Sequence, residues 1–168
     1  MSAPTDDQQL RLLFARAEPK PASRITPLRV RVELVRDAPA TTESIVFTGA
    51  ASIYAFLRED VAAWDRERFL TVILDNKHRL IGIEEVSVGT LSSALVHPRE
   101  VFKAIILANA AAFAVAHNHP SGDPTPSRED IEITRRLREV ADLFGIRFLD
   151  HIIIGRGRYV SFVDDGYW

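Results

Sequence analysis

From Ala114 to Asp130 the chain reads A-V-A-H-N-H-P-S-G-D-P-T-P-S-R-E-D. It continues an apolar run, Ala110 to Ala116, that carries no charge and so predicts a buried strand. Side chains alternate along a strand, so His117 and His119 leave on one face while Asn118 points the other way. Pro120 cannot continue a ladder, and Ser121-Gly122-Asp123-Pro124 has the composition of a turn. Ser127 stands just before a helical pattern, with Asp130 three residues later on its first turn. Two imidazoles on one face and a carboxylate brought back by the loop make three ligands for one divalent metal. Nitrogen and oxygen donors of this kind suit zinc, and three protein ligands leave a fourth position for water. A plainer reading uses the same residues. Ser127-x-x-Asp130 is close to a capping box, which serves only to start a helix, and an H-x-H pair at a strand end also fits a surface polar network. Taken alone, the residues leave both readings open.

The whole pattern is more specific than its parts. His-x-His-Pro, six residues, Ser, two residues, Asp resembles the JAMM motif of the MPN/JAB metallopeptidases, residue by residue. The wording H-N-H-P-S-G-D-P-T-P-S-R-E-D, with V-S-V-G-T-L and H-P-R-E before it and L-D-H-I-I-I-G after it, is similar to the RadC branch of that superfamily. The resemblance runs over about residues 50 to 163. It implies a cytidine-deaminase-like layered sandwich, one zinc per chain on His117, His119 and Asp130, and hydrolysis of an amide. It also implies that Ser127 orients or stabilises the tetrahedral oxyanion, where one good donor is worth ~3 kcal/mol. The general base of this superfamily is a glutamate at the start of an early strand, followed by an apolar run and a turn. Glu67-Arg68-Phe69-Leu70-Thr71-Val72-Ile73-Leu74-Asp75 has that shape, which gives Glu67 the role, with Glu84 and Glu85 on the next strand as rivals. JAMM enzymes cut isopeptide bonds to ubiquitin-like modifiers, so a peptide or protein substrate, isopeptide-linked or not, is implied here.

Composition sets the outer bounds. At 168 residues and 46% hydrophobic content, the chain can bury one sizeable core but hardly two. It has no cysteine, which removes disulfides, thiolate ligands and a cysteine nucleophile together. A net charge of −2 gives no global electrostatic case for nucleic acid or an acidic membrane. The polar start, with Asp6 and Asp7, does not read as a signal peptide. The apolar run Ala104 to Ala116 is broken by Asn109 and falls short of the ~20 residues of a membrane span. A soluble, cytoplasmic protein is expected.

In chain order, residues 1–27 read as a mildly basic solvated leader broken by Pro19, Pro21 and Pro27, and residues 28–168 as the MPN/JAB domain. RadC-like proteins carry a helix-hairpin-helix ahead of that domain. Such a hairpin needs a glycine turn, and the first glycine here is Gly49, so no tight, specific DNA binding is expected. Val30 to Leu34 alternates as a half-exposed strand, and a turn-rich link spans Ala38 to Thr42. Helical spacing predicts a helix over Ala51–Trp64, then a β-branched strand Phe69–Leu74, a turn at Asp75–His78 and a strand Leu80–Val88. A short strand Leu91–Val96 precedes a helix Pro98–Asn109 that turns Val101, Ile105, Leu107 and Ala108 inward, with His97 as cap rather than ligand. The helix after Ser127 aligns Ile133, Leu137, Val140, Ala141 and Phe144 and ends at Gly145. His151–Ile154 is a further buried strand, in which His151 is expected to donate to a backbone or carboxylate partner. Tyr159–Val163 closes the fold, and residues 164–168 form an exposed tail.

Alternating strands and helices make the fold class α/β, one mixed sheet flanked by helices. The deaminase reaction of the related sandwich is disfavoured, because it needs a Cys-x-x-Cys pair and a glutamate where His119 stands. Zinc-assisted amide hydrolysis leads; a RadC-type DNA-repair-associated protein and a catalytically silent MPN interaction module are the alternatives.

Overall fold

A computed structural model describes residues 44–62, 64–89 and 96–168. The leader at 1–27, the strand Val30–Leu34, the link at 38–42 and residues 91–95 of the strand expected at Leu91–Val96 lie outside these; Val96 itself is in no regular element. The described elements run α1 (Ala50–Ala62), β1 (Arg68–Leu74), β2 (Leu80–Val88), α2 (Pro98–Leu107), β3 (Ala112–Asn118), α3 (Arg128–Phe144), β4 (Arg147–Ile154) and β5 (Tyr159–Ser161).

β1 is apolar and β-branched, and every residue from Phe69 to Leu74 is buried. Asp75 then reverses the chain: its Oδ1 accepts from the Lys77 and Arg79 amides at 2.8 and 2.9 Å, while His78 takes a left-handed φ of 57°. β2 returns antiparallel to β1, and β3 pairs antiparallel with β1's other edge. Helix α3 carries the chain back so that β4 lies parallel to β3, and β5 closes antiparallel to β4. The sheet order β2-β1-β3-β4-β5 makes this a mixed α/β sheet.

Alternation in β3 divides the core. Ala112, Ala114 and Ala116 face Ile53, Leu57 and Val61 of α1. Phe113 and Val115 face Val101, Phe102 and Ile105 of α2 and Leu137 and Ala141 of α3. The sheet is thus covered on both sides, and this is why β3 carries no polar residue before its last two positions. His117 continues the parity of Phe113 and Val115 and so emerges on the α2–α3 side.

Several expected limits move. α1 ends at Ala62 and leaves Trp64 outside it. α2 ends at Leu107, and Asn109 turns left-handed with φ 49°. Leu107, expected inward, is outward, whereas Phe102, not expected there, is buried. Phe144 is half out of the core, its ring 5.5 Å from that of Phe102. β5 stops at Ser161 because Asp150 folds the chain there, accepting from the His151 and Val163 amides and the Ser161 hydroxyl. The tail is exposed but not loose: Tyr167 N donates to Phe162 O at 2.9 Å, and the Trp168 ring lies 4.9 Å from that of Phe148. Among the described residues, no helix is long and apolar enough to cross a membrane.

Candidate metal centre

His117 is the next-to-last residue of β3, His119 lies one residue beyond the strand, and Asp130 is the third residue of α3. Their imidazole nitrogens and the Asp130 carboxylate converge. His117 Nε2 is 3.0 Å from His119 Nε2 and 3.1 Å from Asp130 Oδ1, and His119 Nε2 is 3.5 Å from Asp130 Oδ2. Zinc bonds of ~2.0–2.1 Å in a tetrahedron put neighbouring donors about 3.3 Å apart, so the spacing and the N, N, O donor set both fit zinc. Among the described residues this is the one group of three or more such side chains placed to hold a metal ion.

Each of the three candidate ligands is held from behind. The His119 amide donates to Ile154 O at 2.9 Å, and its Nδ1 lies 2.7 Å from Asp123 O. A carbonyl only accepts, so Nδ1 carries a proton and the lone pair of the neutral ring sits on Nε2. Asp130 answers the question left open by the sequence: it belongs to a full capping box and to the donor triangle at once. Its Oδ2 accepts from Ser127 N at 2.7 Å and Ser127 Oγ at 2.6 Å, which leaves Oδ1 facing His117. His117 is buried and stacks on Phe69, ring centres 5.7 Å apart.

Electrostatics follow from this contact. Burial opposes charge on Asp130, but hydrogen bonds from His117, His119 and Ser127 outweigh it and hold the carboxyl far below the usual carboxylate range. The hydrogen bond to Asp130 raises the proton affinity of His119 against its desolvation, with Asp123 O and the charge of Glu67 adding to the rise.

Glu67 therefore lies within electrostatic reach of the donor triangle. Its backbone is fixed on both sides: Asn118 Oδ1 accepts from Arg68 N at 2.8 Å, Asn118 Nδ2 donates to Arg66 O at 2.9 Å, and Glu67 O accepts from Gly89 N at 2.8 Å. The rivals are engaged elsewhere, Glu85 with Arg68 at 2.8 Å and Glu84 with Lys103 at 3.7 Å. His97 caps α2, its Nδ1 accepting from Arg99 N at 3.1 Å, as expected of a cap. Beside His119 opens a cleft of about 640 Å³, walled by Tyr54, Arg58, Trp64, Pro120 and Arg156.

His151 departs from expectation. Its side chain meets neither a backbone group nor a carboxylate: Nε2 is 2.8 Å from His117 Nδ1 and Nδ1 is 2.6 Å from Thr134 Oγ1. Burial, with His117 beside it, pushes its proton affinity well down, so the ring is neutral. Thr134 was invisible to an apolar-stripe reading, although it lies one turn after Asp130 on the same inward face.

Comparison with known proteins covers this whole unit. The family model of the RadC-like JAB domain matches residues 47–167. A UPF0758 protein of Geotalea uraniireducens is 51% identical over 120 residues, 71% of this chain and 53% of the relative. One from Caldanaerobacter subterraneus is 43% identical over 148 residues, 87% of this chain and 64% of the relative. One from Moorella thermoacetica is 49% identical over 140 residues, 83% and 61% of the two chains. The matches thus span roughly half to two thirds of the length of these relatives.

Proposed function

The chain belongs to the RadC-like JAB domain family, and from that premise we propose that it is a zinc-dependent hydrolase of peptide or isopeptide amides. The observation that carries this reading is the convergence of His117 Nε2, His119 Nε2 and the Asp130 carboxylate, with separations of 3.0 to 3.5 Å, beside a cleft that His119 lines. Zinc held there supplies a Lewis acid that polarises a carbonyl and makes water acidic near neutral pH.

The protein's own residues supply the rest. Glu67 takes a proton from the attacking water as its oxygen bonds to the carbonyl carbon. It then delivers that proton to the leaving nitrogen as the C–N bond breaks. Ser127 turns its hydroxyl hydrogen from Asp130 Oδ2 toward the oxyanion, while the Ser127 amide, 2.7 Å from Oδ2, keeps the carboxylate oriented. The substrate chain lies along the cleft past His119, with the rings of Tyr54 and Trp64 against its side chains.

Glutamine in place of glutamate keeps the shape and removes the basicity. Glu67→Gln retains zinc and loses hydrolysis of peptide and isopeptide amides by ~10²–10⁴-fold. Glu84→Gln and Glu85→Gln remain active. Full activity in Glu67→Gln, with Glu84→Gln or Glu85→Gln inactive and zinc-loaded, places the base on the wrong strand.

A further inference from the structure

His151 is completely buried beneath the donor triangle. It stacks on Phe162, ring centres 4.7 Å apart, and meets Phe69 edge-on at 5.6 Å. Both its ring nitrogens have partners. Nε2 is 2.8 Å from His117 Nδ1, and Nδ1 is 2.6 Å from Thr134 Oγ1, which in turn lies 2.5 Å from the backbone oxygen of Asp130. An unbroken chain, His117–His151–Thr134–Asp130, therefore runs from one ligand residue to another behind the site.

Counting donors and acceptors along it assigns the protons. The Asp130 carbonyl can only accept, so the Thr134 hydrogen goes there, and Oγ1 meets His151 as an acceptor. His151 then carries its proton on Nδ1 and offers the Nε2 lone pair to His117. His117 must hold its own proton on Nδ1, which frees the lone pair of Nε2, the nitrogen facing His119 and Asp130. Every link in this order has one donor and one acceptor. The reverse order points an N–H of His117 into the donor triangle and takes Thr134 away from the Asp130 carbonyl.

We propose that His151 and Thr134 are positioning residues that hold His117 in its metal-binding tautomer. They touch neither metal nor substrate; they act through the ring of His117. The proposal rests on the zinc reading above and adds to it the device that orients one ligand. Between two aromatic rings, with His151 fully buried, no solvent replaces a lost partner.

The test is zinc affinity of the full chain by chelator competition, together with long-range ¹⁵N–¹H spectra of its imidazoles. His151→Phe fills the space and accepts nothing, and weakens zinc binding by about 10–100-fold. Thr134→Val, nearly the same shape, weakens it in the same direction. His151→Gln, whose amide oxygen can accept from His117 Nδ1, recovers most of the affinity. The spectra need no variant to fold: zinc-loaded wild type shows both His117 and His151 protonated at Nδ1. His151 protonated at Nε2 in that state, or wild-type affinity in His151→Phe, overturns the proposal alone. Wild-type protein that takes up no zinc overturns the metal reading and this one with it.

Discussion

Asn118 faces away from the two histidines that flank it, and its side-chain amide clamps residues 66 and 68 on either side of Glu67, the proposed base. Asn118→Ala is expected to lower kcat by less than Glu67→Gln does and to leave zinc affinity unchanged, since no ligand rests on it. Steady-state kinetics alongside a zinc titration separate the two; a fall in zinc affinity equal to the fall in kcat contradicts the assignment. His119 sets the pH dependence. Its hydrogen bond to Asp130 raises its proton affinity above the ordinary 6.5, so in the metal-free protein this pair stabilises fully below that value and fades as pH rises through the raised one. Zinc needs the neutral ring, so protons begin to compete at a higher pH than for an ordinary histidine. Apparent zinc affinity should therefore decline on acidification from a point above pH 6.5, as a titration at several pH values would show; affinity flat to below that value contradicts the pairing. At this scale the alternation of His117, Asn118 and His119 was readable from period two alone. The partner of His151 was not, because a histidine facing another histidine across a parallel strand pair leaves no mark in sequence spacing.

Elements place the candidate ligands, and the turn after β3 is packed more tightly than its polar composition suggests. Gly155, just after β4, lies against that turn: a Cβ there would sit 2.5 Å from Gly122 O and 2.7 Å from Pro124 Cδ. Arg156 N donates to Gly122 O at 2.9 Å, and Gly122 N to His119 O at 2.9 Å, so the contact is transmitted to a ligand. Gly155→Ala should cost ~1–3 kcal/mol in stability, as overpacking does, and weaken zinc binding as the His119 turn shifts. Gly82→Ala, with nothing within 4 Å, should leave both unchanged. Thermal melting and a zinc titration of the two variants decide it; equal behaviour contradicts the packing argument. The strands and the hairpin were legible because β1 and β2 carry local signals, β-branching and an Asp-Asn turn. Helix ends were less so. α2 stops two residues early, where Asn109 adopts a left-handed conformation that the apolar run through it conceals. The start of α3 was legible twice over, as a cap and as a candidate ligand position; the cap is formed, and the same carboxylate, with Oδ2 on Ser127 N, still turns Oδ1 to within 3.1 Å of His117 Nε2.

In the described fold, the site sits at the C-terminal end of the central strand β3, where His117 emerges on the side covered by α2 and α3. β3 supplies His117, the turn beyond it His119 and α3 supplies Asp130, while β4 backs them with His151 and Glu67, at the entry to β1, lies within electrostatic reach of His119. The α/β class could be read from alternating patterns. The order of strands could not, since the parallel pairing of β3 with β4 depends on α3 crossing the sheet, a long-range contact with no local signature. Because apolar cores cover both faces of the sheet, metal-free variants are expected to remain structured and their metal content interpretable. Elemental analysis of the purified chain measures the proposed zinc site most directly. One zinc per chain is predicted, lost in the His117→Ala, His119→Ala double variant and partly lost in Asp130→Ala; zinc content unchanged in the double variant would contradict the account.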